Sequence, residues 1–200
     1  MTQSSKYNSV QRKKFYFSQP LMDKAKKIIA QYPEGRERSA ILPLLEMAQR
    51  HNGGWLSPDA LEYVGDMLSL PITRVWEIAT FYTMFNTQPV GKFHIQVCGT
   101  PPCYLCGSKE VKRACQKWLG IKVGETTDDK MFTLTEVECL GACANAPVVQ
   151  INDDYFEDLN AESIEKILQD LADGKKIESG SMTGRTGSAP LNTKIRKKDA

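Results

Sequence analysis

Four of the six cysteines fall in two tight pairs, Cys98 with Cys103 in C-G-T-P-P-C and Cys139 with Cys143 in C-L-G-A-C, separated by 35 residues. A fold that uses them together must bring two loops, distant in sequence, to one place. Thiolates are soft, charge-donating ligands, and four of them converging from loops are what the tetrahedral irons of an iron–sulfur cluster take. Gly99, Gly141 and Ala142 allow close backbone approach, and their N–H groups are candidates to hydrogen-bond sulfur. Structural zinc sites usually have two residues between paired cysteines, whereas the gaps here are four and three. Zinc and plain structural cysteines stay open as alternatives.

Six cysteines in 200 residues, clustered rather than spread, fit a reducing compartment and a metal site better than a secreted disulfide scaffold. No apolar run reaches the length of a membrane span, so direct membrane insertion is not expected. Residues 1–22 lack the apolar stretch of a secretory signal; Lys6, Arg12, Lys13 and Lys14 read as a solvated basic arm, with a transit peptide as the alternative. The net charge of +2 hides an asymmetry: residues 1–19 and 173–200 each carry +4, and residues 20–172 carry −6. Basic ends on an acidic body suit an acidic partner subunit or an anionic surface, or serve as solubilising tails. Nucleic-acid binding is not expected, because no basic patch interleaves with aromatics in the folded part.

The expected organisation is α+β: a basic N-terminal arm over 1–19, a helical domain over 20–88, an α/β domain over 91–174 and an extended basic tail over 175–200. Leu21, Ala25, Ile28 and Ile29 repeat at helical spacing up to Pro33. A second helix starts near Ser39 and holds Ile41, Leu44, Leu45 and Ala48, with Pro43 near its first turn and Gly53-Gly54 as its stop. Ser57-Pro58 caps a third, with Leu61, Val64, Met67 and Leu68 inward. A fourth follows Pro71 and carries Val75, Ile78, Ala79, Tyr82 and Phe85. Trp76, Phe81, Tyr82 and Phe85 read as core, or as a face against a partner, rather than a cofactor box.

Beyond Gly91 the pattern changes. Phe93, Ile95 and Val97 alternate into Cys98, and residues 131–138 alternate into Cys139, so both pairs follow strands. A helix is expected over 108–119, short strands around Val148–Ile151 and Tyr155-Phe156, and a last helix from Asn160 to Gly174. Strand, helix, two strands and a closing helix outline a thioredoxin-like domain in which the two pairs meet at one edge of the sheet. The tail is too poor in apolar residues to fold alone.

Cys106 opens two rival readings. Cys98-x4-Cys103-x2-Cys106 has the start of the plant-type ferredoxin spacing, with Cys139 or Cys143 as the fourth ligand. Cys103-Tyr104-Leu105-Cys106, after a strand and before a helix, also has the form of a dithiol oxidoreductase site, Cys103 attacking and Cys106 resolving. That account leaves Cys98, Cys139 and Cys143 without a role. Cys115, inside the expected helix, reads as a buried apolar residue. His94 and His51 lack partners at ligand spacing, and no phosphate-cradling glycine loop is present.

Several segments together resemble one family: Ala40-Ile-Leu-Pro-Leu-Leu, Gln49-Arg-His-Asn-Gly-Gly-Trp-Leu, Val75-Trp-Glu-Ile-Ala-Thr-Phe-Tyr-Thr-Met-Phe, His94-Ile-Gln-Val-Cys-Gly-Thr-Pro-Pro-Cys and Glu138-Cys-Leu-Gly-Ala-Cys-Ala-Asn-Ala-Pro. Over about residues 20–172 the chain resembles the small thioredoxin-like [2Fe–2S] subunit of NADH:quinone oxidoreductase, respiratory complex I. Gly180-Ser-Met-Thr-Gly-Arg-Thr-Gly-Ser is similar to the extension of mitochondrial and alphaproteobacterial members. The resemblance implies an N-terminal helical bundle followed by a thioredoxin-like [2Fe–2S] ferredoxin domain, with cluster ligands at Cys98, Cys103, Cys139 and Cys143. It implies an oxidoreductase subunit with no complete active site of its own. The FMN would lie on the NADH-binding flavoprotein subunit, and the large Fe–S subunit would be a further partner. It implies a peripheral position on the cytoplasmic side of a bacterial inner membrane, or the matrix side in mitochondria. Similar subunits serve NAD-linked hydrogenases and formate dehydrogenases. Cys106 and Pro101 depart from the family's usual residues. Loss of residues 175–200 is expected to weaken assembly and spare the cluster.

Overall fold

Proline and glycine punctuation divides the chain into helices at the places where the backbone can no longer continue one. The computed structural model describes residues 15–187; the basic residues Lys6 to Lys14 and the tail from residue 188 lie outside them. The chain falls into two compact units that meet in sequence at Pro89 and Val90.

The first unit holds α1 (Gln19–Ile29), α2 (Ile41–His51), α3 (Pro58–Met67) and α4 (Ile72–Phe81). A 3-10 turn over Glu37–Ala40 feeds α2, so Pro43 sits in the first turn, where its missing N–H breaks no helical bond. Ser57 Oγ accepts the Ala60 N–H at 3.2 Å, a cap that stabilises α3 by about 1 kcal/mol. Leu44, Leu45, Leu56, Leu61, Val64 and Val75 are fully buried, and those within helices fall at the helical spacing of their element.

The fourth helix ends earlier than its apolar repeat suggests. Tyr82 is extended (φ −86°, ψ 114°), and the Gln49 side chain on α2 takes over the backbone beyond it. Gln49 accepts the Asn86 N–H at 2.7 Å and donates to Met84 O at 3.0 Å. Phe85 thus folds into the core outside the helix, while Phe81 is 77% exposed and Tyr82 and Met84 are exposed beside it.

The second unit is a mixed sheet with helices. Its strands are β1 (Phe93–Cys98), β2 (Phe132–Val137), β3 (Val149–Ile151), β4 (Asp154–Glu157) and β5 (Gly180–Ser181), in the order β2-β1-β3-β4-β5. β1 runs parallel to β2 and antiparallel to β3; β3 and β4 are antiparallel, and β4 is parallel to β5. Two long helices, α6 (Ser108–Leu119) and α7 (Ala161–Ala172), bury Val111, Ala114, Cys115, Ile164, Ile167 and Leu168 in one core with Ile95, Leu134, Val149 and Ile151 of the sheet. Asn160 and Ser163 form a reciprocal capping box at the start of α7.

Two features differ from the expected outline. A five-residue helix, α5 (Pro101–Leu105), replaces the expected loop after Cys98, started by two prolines whose φ already suits a first helical turn. The expected boundary at residue 174 also moves. Residues 180–181 join the sheet as β5 and the chain stays bonded to the unit through Arg185, so the extended tail begins later than residue 175.

Candidate metal centre

Parallel pairing of β1 with β2 puts Cys98 opposite Val137, so the two strands end together and Cys139 follows two residues later. The cysteines therefore meet at the C-terminal end of these strands, rather than along an edge of the sheet. Cys98 closes β1, its N–H donating to Val148 O at 3.1 Å. Cys103 is carried back over it by α5. Both are 1% exposed and pack with Val148, Leu140, Ala142, Ala146 and Tyr155.

The second pair is exposed. Cys139 and Cys143 sulfurs are 3.4 Å apart, and the Gly141 N–H points at Cys139 Sγ at 3.4 Å. Gly141 has φ +84°, which a side chain would strain, and this turn is what aims the amide at the sulfur. Tyr155 Oη donates to Leu140 O at 2.9 Å and fixes the loop from β4. Gly99 has another role than expected: its N–H continues the sheet to Val137 O at 3.0 Å. Thr100 is a partner that the sequence pattern did not single out, its hydroxyl 3.3 Å from Cys98 Sγ.

The four thiols form one electrostatic group. Burial works against ionising Cys98, but the Thr100 hydroxyl and N–H, the Leu140 N–H and the Cys103 thiol together hold it below the usual thiol range. Cys103 is pushed up to about 12, by burial, by its bond to Cys98 and by repulsion from Cys98 and Cys143. Cys139 is lowered by the Gly141 N–H, and Cys143 is raised by its bond to Cys139. In each pair, one sulfur is prepared for negative charge and its neighbour resists adding a second.

Backbone and hydroxyl donors aimed at sulfur, with mutual repulsion between like charges, make a site suited to a cationic centre that accepts all four thiolates. Among the described residues, no three His, Cys, Asp or Glu side chains converge on a single metal position. Four thiols in two pairs would instead suit a group with two metal positions, each taking one pair. For metal–thiolate bonds of about 2.3 Å a tetrahedral edge is roughly 3.8 Å, close to the Cys139–Cys143 separation.

The other candidates stand apart. Cys106 is exposed at the end of α5, and its charged neighbour is Arg185. Cys115 is fully buried and its thiol is pushed up to about 12 by burial. His94 is buried on β1 with Nε2 2.9 Å from Thr135 Oγ1, and the His51 ring packs edge-on against Phe15 and Phe17.

Comparison with known proteins gives the chain a family. Residues 25–172 match the thioredoxin-like [2Fe-2S] ferredoxin family. A subunit of the NADH-quinone oxidoreductase of Rickettsia felis is 56% identical over 81% of this chain and 97% of its own length. The mitochondrial NADH dehydrogenase [ubiquinone] flavoprotein 2 of Dictyostelium discoideum is 47% identical over 86% of this chain and 69% of its own. Among solved structures, an NAD+-reducing [NiFe]-hydrogenase in the air-oxidized state superposes with a TM-score of 0.58 at 21% identity, a likeness of fold. That match covers 66% of this chain and 23% of the hydrogenase chain. On the sequence match and the two thiol pairs, the chain belongs to the thioredoxin-like [2Fe-2S] ferredoxin family.

Proposed function

We propose that this chain is the electron-transfer subunit of an NADH:quinone oxidoreductase and that Cys98, Cys103, Cys139 and Cys143 ligate its single [2Fe–2S] cluster. The observation that carries the reading is the convergence of two thiol pairs at the shared end of β1 and β2, in a chain 56% identical to a subunit of such an enzyme. Bound there, the cluster supplies one-electron exchange, with a potential set by its charge, hydrogen bonds and exposure.

The residues divide that work by position. Cys98 and Cys103 are enclosed by apolar side chains that keep water from one half of the site. Cys139 and Cys143 lie on the exposed half, the side from which a redox partner would approach. The Thr100 hydroxyl and the Gly141 and Leu140 amides stabilise charge on sulfur, so an added electron meets donors already oriented.

The partners would be the NADH-binding flavoprotein subunit, whose FMN performs the hydride chemistry, and the large Fe–S subunit. The N-terminal helical bundle, with Phe81, Tyr82 and Met84 exposed, would contact a neighbouring subunit. Among the described residues no helix is long and apolar enough to cross a membrane. The proposed place is peripheral, on the cytoplasmic face of a bacterial inner membrane or the matrix face in mitochondria, and its support is the sequence match to a subunit of such a complex. The equivalent role in an NAD-linked hydrogenase has only the fold likeness behind it. A dithiol mechanism would need an accessible, readily ionised Cys103, and this thiol is buried and pushed up to about 12.

The test is reduction by NADH. In a complex of this chain with the flavoprotein subunit, anaerobic NADH should bleach the visible absorbance of the cluster as dithionite does. A complex in which this chain holds no iron and sulfide, or in which its centre exchanges no electron with the reduced flavin at any poised potential, would overturn the assignment.

A further inference from the structure

The segment after α7 returns to the metal centre, and its contacts have a direction. Arg185 donates from Nη2 to Ala144 O at 2.9 Å, the carbonyl next to Cys143, and from Nε to Asp158 Oδ1 at 3.0 Å. The Asp158 side chain is 6% exposed and also accepts from Ser181 Oγ at 2.5 Å and Thr183 Oγ1 at 3.2 Å. Its own N–H donates to Asn145 O at 2.8 Å. Asp158 thus holds the cysteine loop with its backbone and the returning segment with its carboxylate.

We infer that Arg185 is a positioning residue for the Cys139–Cys143 loop: it reaches over from the C-terminal segment and locks the carbonyl beside Cys143 to Asp158. The inference rests on Cys143 being a cluster ligand.

Three observations set the weight of this contact. The side-chain bonds that otherwise fasten the loop come from β4, by Tyr155 to Leu140 O and by Asn145 Nδ2 to Glu157 Oε2 at 2.7 Å. Neither bond reaches the Ala144 carbonyl, which Arg185 takes. The Arg185 side chain is 53% exposed, so water screens its charge and the directional bonds do the positioning. The segment is also held in place before it reaches Arg185, by Met182 N–H to Glu157 O at 3.0 Å and by the Ser181 hydroxyl, which accepts the Arg185 N–H at 3.0 Å. Lysine, a point donor, can meet Ala144 O or Asp158 but not both with the geometry of the guanidinium fork.

The expected division between a dispensable tail and a self-sufficient cluster domain therefore changes. Removing everything from residue 175 takes Arg185 away from the metal centre; removing only residues 188–200 leaves it in place.

The test uses full-length chain, Arg185→Ala, Arg185→Lys, and truncations after Gly187 and after Glu178. Each is assayed for chelator-driven loss of visible absorbance and for the EPR line shape of the reduced centre. A third readout, hydrogen exchange of residues 140–146, is made on cluster-free chain. Arg185→Ala and the truncation after Glu178 should bleach about tenfold faster, as loss of a supporting contact around a metal ligand typically does. They should also broaden the EPR signal and speed exchange in the loop. Arg185→Lys should lie between, and the truncation after Gly187 should match wild type. Arg185→Ala equal to wild type in bleaching, line shape and exchange overturns the inference. Where Arg185→Ala yields no soluble chain, Arg185→Lys equal to wild type does the same. Wild type without iron would overturn the cluster assignment instead, so the two failures are distinct.

Discussion

Cys98 and Val137 are partners in the parallel register of β1 and β2, and this pairing turns two loops distant in sequence into one metal centre. A register shift of one residue would move Cys139 by about 3.3 Å along the strand and reverse the side-chain faces of β2. Gly91, just before β1, guards the opposite end of the same pair. A Cβ there would lie 2.7 Å from the Phe132 carbonyl carbon and 2.8 Å from its nitrogen. Those atoms are backbone and cannot turn aside, so Gly91→Ala must spread the strands. We expect it to cost about 1–3 kcal/mol and to lower iron content, read by urea unfolding and iron analysis.

Tyr155→Phe removes the donor to Leu140 O while keeping the ring in its apolar contacts. Its expected cost is about 1 kcal/mol of stability, with faster chelator bleaching than wild type. Unchanged bleaching would mean that the loop holds its shape without this bond.

Ser57→Ala tests the capping of α3, away from the metal centre. Loss of the bond to the Ala60 N–H should cost about 1 kcal/mol in unfolding and leave the cluster spectrum unchanged.

Burial holds the His94 imidazole below its ordinary 6.5, favouring the neutral ring that Thr135 hydrogen-bonds. Between the lowered folded value and 6.5 the unfolded chain binds more protons, so stability is retained above this window and lost as pH falls through it. His94→Gln should flatten the fall in urea midpoint between neutral pH and about pH 5, below the ordinary histidine range; a parallel fall in both proteins would assign the loss to other groups. Asp158 acts lower on the scale. Its bond to Arg185 holds the carboxylate below its usual range, so its stabilisation is present above about pH 4 and is lost as pH falls further.

Much of this architecture was legible because it depends on local patterns. The apolar repeats of α1 to α3, the Ser57-Pro58 start, the alternation that leads β1 and β2 into cysteines, and the Asn160 start of α7 are all written over a few neighbouring residues. What escaped depends on contacts across the chain. Gln49 holds the chain beyond α4 from 35 residues away, and nothing within the run from Val75 to Phe85 signals that capture. The Pro101-Pro102-Cys103 stretch reads as a loop because prolines break helices, whereas at a first turn they start one. Arg185 looked like one more charge in a polar tail; only the pairing of β5 with β4 brings it to Asp158 and Ala144.

The most direct test of the central claim is iron and acid-labile sulfide per chain, with an EPR spectrum after reduction, on anaerobically prepared wild type, Cys106→Ser and serine variants of Cys98, Cys103, Cys139 and Cys143. The account predicts two irons and two sulfides in wild type and in Cys106→Ser, with the same signal, and loss or gross alteration of the centre in each of the other four. A colourless wild type that holds zinc, or a centre lost in Cys106→Ser and retained in Cys139→Ser or Cys143→Ser, would contradict it.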